Sequence, residues 1–238
     1  MNISIGKAVM LAIVCSVLSA LVTAVVLKKP APVAPVETAA VKPAAETEAE
    51  APAEPAPDID VEQAMQDRSI GAEDAPVTII EYASMTCGHC AMFHKNVLPE
   101  VKKQLIDTGK ARLVFRDMPW DKYAIKAAKM ARCAPHDKYF ELVGTIFDTQ
   151  EIWTKRDDPQ QGLREMGIAA GMDGKLVDAC LESDALTKAV LERQKQAREL
   201  DGITSTPSFV VLKDGQKLDS YPEFEKIGEE FSKHDHHH

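Results

Sequence analysis

The chain has 238 residues, enough for one domain of ordinary size with further segments attached to it. Its hydrophobic fraction of 45% is normal for a globular protein with a packed core, and its formal net charge is −9. Eight of the 37 acidic residues lie within residues 30–62 and no strongly basic region exists, which argues against a nucleic-acid partner.

Residues 8–27 form an uncharged apolar stretch near the N-terminus. At about 1.5 Å per residue, a helix of this length crosses a hydrocarbon core of about 30 Å. The apolar part of a cleaved signal peptide is shorter, roughly 7–15 residues, although Val22-Thr23-Ala24 could serve as a cleavage site. We therefore expect a membrane anchor within residues 1–29, with cleavage as the alternative. Lysines on both sides of the stretch leave its orientation open.

Residues 30–62 are dominated by Ala, Pro, Val and Glu. Such a composition cannot bury a core, so this segment is predicted to be an extended, disordered linker. It could act as a spacer that lets the domain reach its partners, or as a tether with no further role.

The folded domain is predicted to begin with a strand, a helix and a second strand. Residues 76–84 are apolar on both faces, which is typical of a central strand. The sequence C-G-H-C follows at 87–90, and apolar residues continue at helical spacing to Thr108. Residues 112–116 form the second strand. This order of elements indicates a parallel βαβ unit.

A long helical block and a β-hairpin follow. Residues 121–200 are mostly helical in pattern, and a strand returns at 207–212. Asp214-Gly215 then predicts a hairpin turn, and residues 224–231 a terminal helix. The α/β chain is thus divided into the anchor (1–29), the linker (30–62), a first part with the C-G-H-C sequence (63–120), the helical block (121–200), a second part (201–233) and a His-rich tail (234–238).

Cys87 and Cys90 form a C-x-x-C pair, which occurs in zinc sites as well as in redox sites. Zinc requires two more ligands. The other cysteines beyond the apolar stretch are solitary, and His89 and His94 lie too close to the pair. The pair also falls where a buried strand becomes a helix. We therefore predict a redox site and no metal, with zinc binding as the alternative.

The position of Cys87 at a helix N-terminus predicts an activated thiol. The helix dipole and the unpaired N–H groups favour a thiolate there, and a protonated His89 would add positive charge. Such settings lower a cysteine pKa to roughly 3.5–7.5. A stable thiolate favours the reduced form, so the Cys87–Cys90 disulfide would oxidise other thiols without a further cofactor. Cys90, one turn into the helix on its buried face, is predicted to be the resolving thiol.

Three further positions are candidates for the site. Glu81 interrupts the apolar strand; buried there, it could take the proton that Cys90 releases, although an exposed glutamate at a strand end is the alternative. Thr206-Pro207 precedes an apolar strand, where a cis bond would suit a close approach to the active site. Met85, just before the C-G-H-C sequence, could line a groove for client proteins.

These motifs together resemble the DsbA group of bacterial periplasmic oxidoreductases. The resemblance runs from about Asp67 nearly to the C-terminus. It is carried by E-Y-A-S-M-T-C-G-H-C, by R-L-V-F-R-D, by the helical block and by G-I-T-S-T-P-S-F. It implies a thioredoxin fold with an inserted α-helical domain, and an enzyme that introduces disulfides into secreted proteins. The location implied is the periplasm, with residues 8–27 as the tether.

The resemblance also implies roles for individual residues. Cys87 would form mixed disulfides with unfolded or reduced secreted proteins, and Cys90 would resolve them. Gly88-His89 would tune Cys87, and Glu81 would relay protons. Thr206-Pro207 would be the cis-proline loop that hydrogen-bonds the client backbone. A membrane quinone reductase of the DsbB type would reoxidise the cysteine pair.

The chain departs from this family in three respects, of which the first is a retained anchor with a long Ala-Pro linker, which is less common among its members. Gly88-His89 stands where the best-known members have Pro-His, so an isomerase or a reductase acting through the same site stays an alternative. Cys133 and Cys180 both lie in the helical block and could form a second disulfide, or remain as two buried thiols.

Overall fold

The structure is a computed structural model that describes the backbone of residues 57–221 and the side chains of residues 57–218. The predicted anchor, the linker up to residue 56, the terminal helix and the His-rich tail lie outside the described residues. Within the described range, none of the helices combines the length and the apolar character needed to cross a bilayer.

The strands and helices that the sequence predicts between residues 76 and 221 are present in the predicted order. The strands are β1 (Arg68–Ile70), β2 (Val77–Ala83), β3 (Ala111–Asp117), β4 (Ser208–Lys213) and β5 (Gln216–Tyr221). The helices are α1 (Val61–Ala64), α2 (Gly88–Met92), α3 (Leu98–Val101), α4 (Lys122–Arg132), α5 (Tyr139–Asp148), α6 (Gln150–Trp153), α7 (Pro159–Ala169), α8 (Gly174–Glu182) and α9 (Asp184–Leu200). Two π-helical turns, Phe93–Val97 and Lys102–Ile106, continue α2 and α3, and a 3₁₀ turn, His136–Lys138, precedes α5.

The strands form one sheet in the order β1-β3-β2-β4-β5. β2 and β3 are parallel, whereas every other neighbouring pair of strands within residues 57–221 is antiparallel. The predicted βαβ unit and the predicted hairpin are therefore confirmed, and β2 is the central strand.

Two short elements at the start of the domain were not predicted. β1 pairs with the outer edge of β3. α1 begins at Val61, within the range 30–62 that the sequence assigns to the linker. The Asp60 side chain accepts a hydrogen bond from the Gln63 N–H at 2.9 Å and so caps α1. The ordered domain thus starts a few residues earlier than the composition indicates.

The alternation of side chains along β2 sends its residues into two different cores. Ile79 packs with Phe93 in the π-helical turn after α2, whereas Ile80 and Tyr82 pack on the opposite face with Ala197 of α9. Glu81 has the same orientation as Ile79. The period of two therefore directs the Glu81 carboxylate toward the helix that follows the C-G-H-C sequence.

The helices α4 to α9 form the block between β3 and β4. Their core includes Leu142, Phe147 and Trp153, and it is continuous with Cys90 beneath the C-G-H-C turn. Cys133, at the C-terminal end of α4, is joined by a disulfide to Cys180 in α8. Of the two alternatives for these cysteines, the structure has the disulfide.

Candidate active site

The C-G-H-C sequence lies at the transition from β2 to α2, where the sequence predicts it. Cys87 is the N-cap of α2 and has extended backbone angles, φ −80° and ψ 120°. Its N–H donates to the Ser84 carbonyl at 3.0 Å, and its own carbonyl accepts from the Ala91 N–H at 3.1 Å. Cys87 is partly exposed, Cys90 is buried, and both are thiols. One sulfur is therefore accessible from the surface, and the other lies behind it.

The surroundings of Cys87 stabilise its anion. Its pKa is lowered to about 5, first by a hydrogen bond from the Cys90 thiol and further by the Thr206 side chain and the backbone N–H groups of Cys90 and His89. Partial burial opposes this shift. His89 is exposed, and its backbone N–H is the group that contributes here. The predicted activated thiol at the helix N-terminus has its physical basis in these donors.

The surroundings of Cys90 have the opposite effect. Burial raises the pKa of the Cys90 thiol far above its usual value, and the nearby Cys87 and Glu81 raise it further. Cys90 thus keeps its proton while Cys87 has lost its own. The two cysteines are chemically distinct although only two residues separate them.

Glu81 lies in the interior, as one of the two sequence-based alternatives has it. Its side chain is fully buried, and both of its carboxylate oxygens lie within hydrogen-bonding distance of Nε2 of His94, at 3.0 and 3.1 Å. The His94 side chain is itself only 5% exposed. The sequence analysis considered His94 only as a zinc ligand and missed this contact. The available signal was its spacing of four residues from Cys90, which places both on one helix face.

Two further loops meet the redox turn at Cys87. The Thr206–Pro207 peptide bond is cis, and the Thr206 carbonyl lies 3.4 Å from the Cys87 sulfur. Nε1 of Trp120 donates to the Thr206 hydroxyl at 2.9 Å. The Thr86 hydroxyl donates to the Asp121 carboxylate at 2.5 Å. The loops after β2, after β3 and before β4 are therefore tied together around the partly exposed sulfur.

Comparison with known proteins agrees with this arrangement. The family described as Thioredoxin matches residues 63–230, which is more than half of the chain. The chain belongs to the thioredoxin family. Among solved structures, alpha-DsbA1 of Wolbachia pipientis superposes with a TM-score of 0.63 at 28% identity, over 71% of this chain and 90% of that one. This thioredoxin-family chain is DsbA-like, and the predicted thioredoxin fold with a helical insert is confirmed.

Curated relatives of this thioredoxin-family protein carry names of the same kind. A putative protein-disulfide oxidoreductase of Rickettsia prowazekii is 30% identical over 65% of this chain and 57% of its own length. The disulfide bond formation protein D of Bacillus subtilis is 22% identical over 69% of this chain and 75% of its own length. The match thus spans little more than half of the Rickettsia protein.

A glutamine from the helical insert supports the redox turn of this DsbA-like chain. Nε2 of Gln150, at the start of α6, donates to the carbonyls of Met85 and Cys87, both at 3.0 Å. Gln150 is buried. It was missed because a lone glutamine in a helical segment carries no sequence signal for a contact so distant along the chain.

Met85 does not line a client groove, so that prediction is wrong for its side chain. The Met85 side chain is 1% exposed and belongs to the core beneath the redox turn. A side chain in the turn can point inward or outward, and apolar burial favours the inward direction. Met92 and Trp120 are the large apolar residues exposed on the elements next to Cys87.

Proposed function

We propose that the chain is a protein thiol:disulfide oxidoreductase that introduces disulfides into other proteins. The observation that carries this proposal is the contrast within one helical turn: Cys87 is partly exposed and its pKa is lowered to about 5, whereas Cys90 is buried and its pKa is raised. A disulfide whose accessible sulfur becomes a stable thiolate when reduced is a good oxidant.

The proposed reaction is two successive thiol–disulfide exchanges. A client thiolate attacks Sγ of Cys87 in the Cys87–Cys90 disulfide, and Cys90 leaves, which gives a mixed disulfide on Cys87. A second client thiolate then attacks the client sulfur of that mixed disulfide. Cys87 leaves as a thiolate, which its low pKa favours, and the client keeps the new disulfide. The electron pair of the client dithiol ends on Cys87 and Cys90.

The direction of the exchange is part of the proposal. An isomerase or a reductase could use the same two cysteines, and the reduction potential distinguishes these activities. We expect a value closer to the roughly −120 mV of a strong oxidant than to the roughly −270 mV of thioredoxin. A value near that of thioredoxin would remove the oxidase assignment.

We further propose a periplasmic location, tethering by residues 8–27, and reoxidation by a membrane quinone reductase of the DsbB type. The Cys133–Cys180 disulfide supports a location outside the cytoplasm, because structural disulfides persist in oxidising compartments. The clients would be unfolded or reduced secreted proteins. Their thiols reach Cys87 because it is the exposed member of the pair.

The test is a Cys90→Ala variant expressed in cells that secrete disulfide-containing proteins. In this variant the Cys87 thiolate attacks a client disulfide, in reverse of the second exchange, and one client thiolate leaves. Because Cys90 is not there to release the resulting mixed disulfide, clients should accumulate on the variant and be freed by a reducing agent. The matched control is the variant with Cys87→Ala and Cys90→Ala, which should trap nothing. Equal recovery from both variants would count against the exchange reaction at Cys87.

A further inference from the structure

We infer that His94 is a positioning residue of the exchange reaction, which holds the Glu81 carboxyl group where it delivers a proton to Cys90 and takes it back. This inference rests on the proposed function and adds a residue to it. Three observations support it: the contact between His94 and Glu81, the apolar enclosure of that pair, and the position of Cys90 on the same helix.

The contact fixes the orientation of the carboxyl group. Nε2 of His94 is 3.0 Å from one carboxylate oxygen of Glu81 and 3.1 Å from the other. One ring nitrogen thus engages both oxygens. Glu81 is fully buried, and a buried carboxylate without a partner is strongly unfavourable. The imidazole therefore makes a charged Glu81 tolerable in the interior during part of the reaction cycle.

Three phenyl rings enclose the imidazole. The ring of Phe147, from α5 of the insert, lies 4.2 Å from the His94 ring at an angle of 34°. Phe93 and Phe115 present their edges at 5.6 and 5.9 Å. The residues opposite Glu81 on the neighbouring strands are Phe115 and Phe209. Because these rings shield the pair from water, a proton on Glu81 passes to the buried Cys90 thiol and not to solvent.

Cys90 is the neighbour that needs this proton. The negative charge of Glu81 acts on the Cys90 thiol, and His94 follows Cys90 by four residues on the same helix. When a client thiolate attacks Cys87, the Cys87–Cys90 bond breaks and its electron pair goes to Cys90. The Glu81 carboxyl group gives its proton to that thiolate, and the resulting carboxylate accepts the bond from Nε2–H of His94.

Reoxidation reverses this transfer. The Cys87 thiolate attacks a partner disulfide and forms a mixed disulfide, with the partner thiolate as the leaving group. Cys90 then gives its proton to Glu81, and the Cys90 thiolate attacks Cys87 and displaces the second partner thiolate. Two electrons pass to the partner disulfide, and the proton from Cys90 is stored on Glu81 until the next client arrives.

The other charged groups on the packed elements are engaged elsewhere. Cys87 is the second titratable group beside Cys90. Asp148, next to Phe147 on α5, is exposed, and buried Tyr139 packs its ring on Phe115. On β3, two ion pairs lie beyond Phe115, Arg116 with Asp67 and Asp117 with Arg132. Within the described residues, Glu81, held by His94, is thus the carboxyl group placed to exchange a proton with Cys90.

The test compares His94→Gln with His136→Gln, which makes the same substitution at an exposed histidine outside the site. The rate at which a reduced peptide reduces the oxidised protein is measured as a function of pH. We expect His94→Gln to slow this step by about tenfold or more and to change its pH profile, because proton transfer commonly contributes 10²–10⁴-fold. The titration of the Cys87 thiolate should stay unchanged, as should the rate in His136→Gln.

A double-mutant cycle separates positioning from a merely structural role. In a Glu81→Gln background, His94→Gln should slow the reaction no further, because the group that it positions no longer carries a proton. Additive effects of the two substitutions, or a wild-type rate and pH profile in His94→Gln, would overturn the inference. A wild-type protein that does not react with the peptide at all would overturn the proposed function and this inference together.

A measurement on the wild-type chain covers the case in which His94→Gln does not fold. The imidazole nitrogen signals of His94 are recorded by NMR in the oxidised and the reduced protein across a pH series. We expect two different titration curves, because reduction moves a proton from Glu81 to Cys90 beside the ring. Identical curves in both redox states would contradict the proposed role.

Discussion

The two cysteine pairs of this chain lie at opposite ends of helices, and they differ accordingly. Cys87 is the N-cap residue of α2, where the backbone of Cys90 and His89 lowers its pKa, whereas Cys133 follows the C-terminus of α4 and its partner Cys180 is fully buried in α8. A helix N-terminus favours an anion and a C-terminus disfavours one. The same type of element, an α-helix, therefore has an ionisable and accessible sulfur at its N-terminus in one pair and a buried structural disulfide near its C-terminus in the other.

The largest expected effect concerns the ionisation of Cys87. We expect its thiolate absorbance, recorded in the reduced protein, to titrate with a midpoint at about pH 5, against an ordinary value of 9.0. The donors of α2 and Thr206 are the cause. Because the folded-state pKa lies below the unfolded one, the thiolate's contribution to stability is complete above about pH 9 and is lost as the pH falls to about 5.

The control for that titration is Cys87→Ser, which carries no thiol at this position. The free energy of unfolding of the reduced wild-type protein, taken relative to this variant, should rise between about pH 5 and pH 9. A midpoint at or above that of free cysteine, with no such pH-dependent difference in the free energy of unfolding, would contradict the claim that the helix N-terminus stabilises the Cys87 thiolate.

The next effect tests the other pair. Replacing both Cys133 and Cys180 by alanine should lower the free energy of unfolding by about 4 kcal/mol, because the cross-link closes a loop with a sequence separation of 47. Denaturant unfolding measures the loss. The exchange rate at a temperature where the variant is folded should stay close to that of the wild type. A strongly reduced rate in a fully folded variant would show that the two pairs are coupled.

The smallest effect concerns the loop contacts around Cys87. Trp120→Phe removes the hydrogen bond to the Thr206 hydroxyl and keeps the aromatic ring. A neutral hydrogen bond contributes about 0.5–1.5 kcal/mol, so formation of the mixed disulfide should slow by roughly two- to tenfold. Thr206→Val removes the other half of the same contact. The double variant should therefore be no slower than the slower single one, and full additivity would show that the contact does not matter.

The parts of the fold and site that were predictable depend on local sequence. β2 and the helix after it follow from apolar periodicity, and the different burial of Cys87 and Cys90 follows from where the C-x-x-C pair falls between those elements. The burial of Glu81 was predictable in part, because a carboxylate in an apolar run is costly without a partner. These features need only the order of residues along one segment.

The features that were missed depend on segments far apart in the chain. β1 and α1 are too short to show a periodic pattern, and both are held by contacts with other elements. The contact of His94 with Glu81 depends on how the helix packs on β2, and the hydrogen bonds of Gln150 depend on how α6 packs beneath the C-G-H-C turn. Met85 was misplaced because its burial is decided by the insert, whose core includes its side chain.

The amide of Gln150 has a consequence for exchanging parts between relatives of this chain. Through its two hydrogen bonds the helical insert supports the loop that carries Cys87, so the insert is not structurally independent of that loop. A chimera that takes its helices from another protein would inherit a correctly shaped cysteine loop only if a donor side chain stood at the same place. The insert and the cysteine loop therefore cannot be exchanged independently, because the Gln150 side chain joins them.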